Sequence, residues 1–125
     1  MFANLIENLN DGTTDHDYDL RSLGDQKSIR FDIAAPLDKP ATLTISHVLT
    51  GSGDKQYRNT LCRFDAVVER SEDQVQGTES LYVVMRTPTK VSAAASREGL
   101  ANQLLTFLGT VAVHPNVTKL LNGEI

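Results

Sequence analysis

From the N-terminus to about Met85 the apolar positions of this chain recur with a period near two, and beyond Ser92 the spacing becomes helical. Thr42 to Leu49 alternates small polar with apolar residues, as a half-buried strand does. The glycines of Thr50-Gly-Ser-Gly-Asp-Lys55 then predict a turn. Tyr57 to Arg70 reads as the returning strand, with Cys62, Phe64, Ala66 and Val68 on one face and Asn59, Leu61, Arg63 and Asp65 on the other. Ser71 to Thr78 is polar and reads as a loop. Leu81 to Met85 forms a further strand, expected to end near Arg86 because Pro88 cannot donate to a ladder. Upstream, residues 28–35 predict a strand with Ile29, Phe31 and Ile33 on one side. Leu5–Asn10 and Tyr18–Leu23 predict a hairpin around Asp11-Gly12.

After Ser92, which reads as the N-cap, Leu100, Ala101, Leu104, Leu105 and Leu108 form one stripe, which Gly109 should terminate. Asn116 to Leu121 predicts a second short helix entered after Pro115. Strands followed by helices, rather than alternating with them, argue for an α+β fold with an antiparallel sheet covered on one side. One medium and one short helix are too little to cover four or five strands. Either a sheet face stays wet or a second chain completes the layer. Phe107 widens the apolar stripe beyond what one sheet requires, which predicts a dimer with interleaved helices and an interface at Leu100, Leu104, Phe107 and Leu108.

At 125 residues the chain fits a single domain (1–125), divided into an N-terminal hairpin (1–27), a main sheet (28–87) and C-terminal helices (92–122). No run approaches the roughly 20 apolar residues that cross a bilayer, so no membrane partner is expected. The opening residues lack the pattern of a signal peptide, and the lone Cys62 cannot close an internal disulfide, which makes a reducing cytoplasm the simplest setting. The net charge of −4 is local in origin: residues 1–25 carry −5 and the remainder +1. A nearly neutral body neither forbids nor predicts nucleic-acid binding.

Candidate chemistry is thin. His16, His47 and His114 are scattered over a loop, a strand and a turn, without metal-ligand spacing. Gly51-Ser52-Gly53 lacks the ending of a phosphate loop, and Cys62 alternates with Phe64 as a buried, inert thiol does. In Asp15-His-Asp-Tyr-Asp19 the alternate carboxylates could share a face and bind calcium. Leu20 and Gln26 stand where the calcium loop needs glycine and glutamate, so a solvated acidic loop is the better reading. No catalytic residue, metal site or cofactor is assigned.

Gln56 to Val68, Leu81 to Arg86, Val91-Ser-Ala and the helix with Gly99-Leu100 and Leu104-Leu105 together resemble the coat proteins of small single-stranded RNA bacteriophages, the levivirus type. The resemblance covers roughly residues 40–121 and rests on spacing and hydrophobicity. It implies an N-terminal hairpin and an antiparallel five-stranded sheet followed by two C-terminal helices. It also implies a homodimer with a continuous ten-stranded sheet and interlocked helices, made in the bacterial host cytoplasm and assembled into an icosahedral shell around single-stranded RNA. In that family the inward sheet face often binds an RNA hairpin, repressing translation and marking the genome for packaging.

The matching face here carries Thr44, Ser46 and Val48, then Asn59, Leu61 and Arg63, then Tyr82, Val84 and Arg86. Thr44-Ile-Ser46 resembles the motif whose hydroxyls hold an unpaired adenine, and Arg63-Phe-Asp65 resembles the neighbouring basic–apolar–acidic run. Tyr82 would stack on a base, and Arg63 and Arg86 would contact phosphates. Leu61 and Val84 depart from this pattern. His47 interrupts its strand's apolar alternation, so a one-residue slip there would exchange the two faces. Bland roles as polar sheet residues remain open for each of these positions. The alternative overall is a non-viral homodimeric ligand-binding or regulatory module with a pocket between sheet and helices; a small hydrolase would need a polar constellation that the sequence lacks.

Overall fold

The period-two segments pair in the order in which they occur along the chain. The computed structural model describes residues 2–90 and 94–124, and the side chains of all of these except 94–97. Six strands form one antiparallel meander: β1 (Leu5–Asn10), β2 (Asp15–Gly24), β3 (Lys27–Asp32), β4 (Ala41–Thr50), β5 (Tyr57–Glu69) and β6 (Gln76–Pro88). The expected hairpin and five-stranded sheet are thus one six-stranded sheet, because β2 pairs with β3 from Tyr18↔Asp32 to Gly24↔Lys27.

Two boundaries differ from the sequence reading. The loop after β5 spans only 70–75, since β5 and β6 pair along their whole 13-residue lengths, from Glu69↔Gln76 to Tyr57↔Pro88. Strand β6 also runs on to Pro88 instead of stopping near Arg86. Pro88 occupies the last rung of an edge strand, where its missing N–H leaves no central ladder broken. The turn after β4 forms as expected. Gly51 has φ +76°, and a Cβ there would lie 2.2 Å from the Lys55 carbonyl oxygen.

Apart from the register shifts between Ile6 and Leu9 and between Leu20 and Ser22, alternation sorts the strand residues onto two faces. On the core face β4 contributes Leu43 and Ile45, and β2 contributes Tyr18, whose ring meets Phe64 edge-on at 5.8 Å. Ile6, Leu9 and Cys62 pack around them. The same face carries Arg30 and Asp32 of β3, which are buried, while Ile29 and Phe31 point to the opposite face. The apolar side of β3 is therefore not its core side. His47 belongs to the core face as well, and the β4–β5 ladder runs unbroken from Ala41↔Ala66 to Thr50↔Tyr57. No slip occurs, because His47 pairs with Thr60 and their side chains bond to each other, Nδ1 to Oγ1 at 2.9 Å.

Helix α1 (Ala94–Leu108) ends where Gly109 turns to φ +93°, with its N–H donating to the Leu105 carbonyl at 3.0 Å. A Cβ on Gly109 would lie 2.4 Å from the Val113 carbonyl oxygen. Helix α2 (Pro115–Leu121) begins with proline in its first turn, and Asn116 Nδ2 donates to the Phe107 carbonyl at 2.7 Å, tying the two helices together. Ser92, the expected cap of α1, and Val91–Ala93 lie outside the described residues.

The helices do not cover their own sheet. Leu100, Ala101, Leu104 and Leu105 face Val83–Thr87 of β6 across an apolar gap of about 380 Å³. Leu81, Val83 and Met85 stay exposed on the core face, as do Leu100, Leu104, Leu105 and Phe107 on α1. A self-contained monomer of 13.7 kDa exposes about 6,600 Å², whereas this chain exposes 9496 Å². The surplus of about 2,900 Å² lies beyond what a finished globular surface carries.

Candidate nucleic-acid face

The sheet face opposite the core is built by parity. Pairings Thr44↔Arg63, Ser46↔Leu61 and Val48↔Asn59 align β4 with β5, and Asn59↔Arg86, Leu61↔Val84 and Arg63↔Tyr82 align β5 with β6. All six residues expected to meet RNA (Thr44, Ser46, Asn59, Arg63, Tyr82 and Arg86) therefore share this face. Leu61 and Val84 form an apolar rung between the two polar ones.

Beside Thr44 and Ser46 lies an open groove of about 440 Å³, lined also by Lys27, Leu61, Arg63 and Asp65. It combines two hydroxyls and an apolar wall with two cations, Lys27 and Arg63, and two carboxylates, Asp25 and Asp65, a mixture of hydrogen-bonding and apolar groups suited to a flat heterocycle. Arg63 is held in place: its Nε donates to Asp65 Oδ1 at 2.9 Å and its Nη2 to Ser80 Oγ at 3.3 Å. The Ser80 hydroxyl also donates to Asp65, and this bond, followed by the Arg63 guanidinium, holds the Asp65 carboxyl below its usual range. The Arg63 guanidinium lies 6.0 Å from the Tyr82 ring centroid, a loose cation–π arrangement. Tyr82 itself is exposed.

Two residues of this face were missed by the sequence reading. Tyr57 is in phase with Asn59, Leu61 and Arg63, so the alternation that placed those residues also places it. Lys27 arrives through the β3–β4 register, opposite Ser46, a long-range pairing that no local pattern reveals.

A second cluster, also missed, sits on the core face near the hairpin. His16 lies in β2 rather than in a loop. Its Nδ1 meets Asp32 Oδ2 and its Nε2 meets Asp11 Oδ2, both at 2.7 Å. Asp32 also accepts from the Ala34 N–H at 3.0 Å, and Asp11 from the N–H groups of Thr13 and Thr14, each at 2.8 Å. The His16 bond holds the Asp11 carboxyl down at about 2, with help from those two N–H groups. The same two carboxylates raise the imidazole, Asp11 first and then Asp32. His16 thus bridges the β1–β2 turn to the end of β3.

Asp15, Asp17 and Asp19 do share a face, but they belong to β2 instead of a solvated loop. Asp17 accepts from the Asn8 N–H at 2.9 Å and Asp15 from Asn10 Nδ2 at 2.7 Å. Among the described residues no group of three metal-ligating side chains converges. Burial raises the Cys62 thiol above its ordinary value. Of the expected dimer-interface residues, Leu100, Leu104 and Phe107 are exposed and Leu108 is half-buried. No described helix is long and apolar enough to cross a membrane.

No protein-family model and no curated protein matches the sequence. Solved structures do match. The coat protein of bacteriophage EMS014 superposes with a TM-score of 0.78 at 14% identity, covering 100% of this chain and 99% of that one. The virus-like particle of Beihai levi-like virus 21 gives 0.74 at 13% identity, over 98% of this chain and 95% of its own. That of bacteriophage AVE019 gives 0.68 at 13%, over 88% and 89%. Sequence identity this low with superposition this complete means that the element order, the meander and the two trailing helices are shared while almost every side chain differs. The chain has the α+β fold of levi-like bacteriophage coat proteins.

Proposed function

We propose that this chain is a capsid protein: it dimerises, and its dimers assemble into a closed shell around single-stranded RNA. The observation that carries this reading is the surplus of exposed surface, together with the exposed apolar side chains of β6 and of the two helices. Obligate homodimers bury roughly 2,000–5,000 Å² or more in total; two chains each hiding about 2,900 Å² fall at the upper end of that range. Strand β6 supplies a 13-residue edge with Leu81, Val83, Val84 and Met85 exposed. Pairing two such edges about a two-fold axis satisfies their free backbone groups and doubles the sheet. Helix α1, which stands off its own β6, then reaches across to the partner's core face.

In this arrangement the face of Thr44, Ser46, Asn59, Arg63, Tyr82 and Arg86 turns inward, toward the RNA. An unpaired base enters the groove beside Thr44 and Ser46, with Lys27 near its phosphate, and Tyr82 stacks a neighbouring base. The likeness to coat proteins over the full chain supports a structural rather than catalytic role. Light scattering after size exclusion tests the proposal. A megadalton particle containing nuclease-protected RNA is the expected result. A species that stops near twice 13.7 kDa when RNA is added refutes shell formation. That outcome would favour a dimeric ligand-binding module using the apolar gap between β6 and α1.

A further inference from the structure

Two arginines of β5 and β6 stand on the sheet face opposite the core, and their surroundings differ in kind. Arg63 is compensated by Asp65 and tethered to Ser80. Arg86 makes no ion pair among the described residues and is exposed. Its guanidinium carbon lies 4.0 Å from the Tyr57 ring centroid, at van der Waals stacking distance. The half-buried Tyr57 ring is thus a floor beneath the planar Arg86 guanidinium. Asn59, directly opposite Arg86 in the ladder, is fixed by a 3.1 Å bond from its Nδ2 to Thr50 Oγ1.

We propose that Tyr57, Arg86 and Asn59 form a second base-stacking station for single-stranded RNA, distinct from Tyr82, in which an unpaired base stacks on the open side of the Arg86 guanidinium. The inference rests on the RNA-facing reading of this sheet face. A guanidinium seated over an aromatic ring loses little freedom when a base covers it, whereas a lysine at the same place could offer only a point charge. The Asn59 amide beside it presents a donor and an acceptor to the base edge. Arg86 and Tyr82 are four residues apart on β6, about 14 Å at the strand rise of ~3.4 Å per residue. Stacked bases rise about 3.4 Å per step, so the two stations take nucleotides several positions apart and align the strand along β6.

The test uses the full-length protein and two fluorescent probes, an unstructured 12-nucleotide oligoadenylate and the same backbone without bases. Arg86→Lys keeps the charge and removes the plane. It is expected to weaken oligoadenylate binding at least fivefold, at the low end of the range for losing one stacked base, and to leave the abasic probe within twofold of wild type. Tyr57→Ala should act in the same direction, while Tyr57→Phe, which keeps the ring, should bind as wild type does. Equal weakening on both probes would reduce Arg86 to a phosphate contact and overturn the station. Unchanged binding by Arg86→Lys, with Tyr82→Ala still impaired, would overturn it too while leaving the RNA-facing reading intact. Failure of the wild type to bind either probe at low salt would sink both together.

Discussion

Replacing Phe107 by aspartate tests the interlocked-helix dimer at the exposed aromatic of α1. Phe107 is 51% exposed in the single chain. An aromatic side chain buries roughly 150–250 Å² when fully covered, so association would remove about 100 Å² more per chain. At ~25 cal/mol per Å² this is about 2.5 kcal/mol per chain, and about 5 kcal/mol for the two copies related by the two-fold axis. Aspartate forfeits that gain and adds the cost of an unpaired carboxylate in an apolar seam, so 5 kcal/mol is a lower bound. The dimer dissociation constant should rise by at least three orders of magnitude at 1.4 kcal/mol per decade. Sedimentation over a concentration series reads this directly, and circular dichroism reports whether the sheet persists. Phe107→Leu, which keeps most of the apolar area, should assemble nearly as wild type does. If Phe107→Asp forms particles at the wild-type threshold concentration, α1 does not lie in the dimer seam and the reasoning fails.

The His16 bridge predicts a stability optimum in mildly acidic solution. The folded imidazole titrates above its ordinary 6.5, so its contribution is complete below pH 6.5 and disappears as pH rises through the folded value. The Asp11 carboxyl titrates at about 2 rather than 3.8, so its contribution is complete above 3.8 and disappears as pH falls toward 2. Urea midpoints measured from pH 3 to 9 should peak between these limits, and His16→Gln should flatten the alkaline side; an unchanged profile in that variant would exclude the bridge. Gly109→Ala should destabilise the helix turn by more than about 1 kcal/mol, because φ +93° is strained for alanine and its Cβ meets the Val113 carbonyl; equal thermal stability would contradict that geometry. Arg30 is 1% exposed and its Nε has no hydrogen-bond partner among the described residues. Arg30→Met, which keeps the stem and removes the charge, should therefore cost less than about 1 kcal/mol, against about 2–4 kcal/mol for Arg30→Ala. Equal losses in denaturant melts would mean that the charge matters more than the packing.

Period and punctuation were legible without the structure. The alternation in 42–49 and 57–70, the glycines at 51 and 109, and Pro115 placed β4, β5, the turn and both helices, and parity alone put six candidate RNA contacts on one face. What local pattern leaves open is which face meets the core. In β3 the apolar residues Ile29 and Phe31 turn away from it, while Arg30 and Asp32 turn in and find partners there: Ser28 Oγ and the distant Ala3 carbonyl accept from the two Nη groups of Arg30, and His16 bonds to Asp32. His47 invited the suspicion of a slip for the same reason. Its match, Thr60, lies 13 residues away and becomes visible only when the strands are paired. The length of β6 was underestimated because its first residues, Gln76 to Ser80, are polar; an edge strand can be polar and still be paired along its whole inner side.

The two margins of the sheet are unequal. Strand β6 offers 13 regular residues, while β1 has six and is broken at Asn8, where φ is +61° and the register with β2 shifts. A sheet with two regular margins would add copies at both ends without limit and grow into a fibre. Here the kink at Asn8 spoils the β1 margin as a template, so in the proposed dimer self-pairing would use the β6 margin and stop at two. Growth of the proposed shell beyond that pair would then use contacts of another kind, in directions that allow a surface to close on itself.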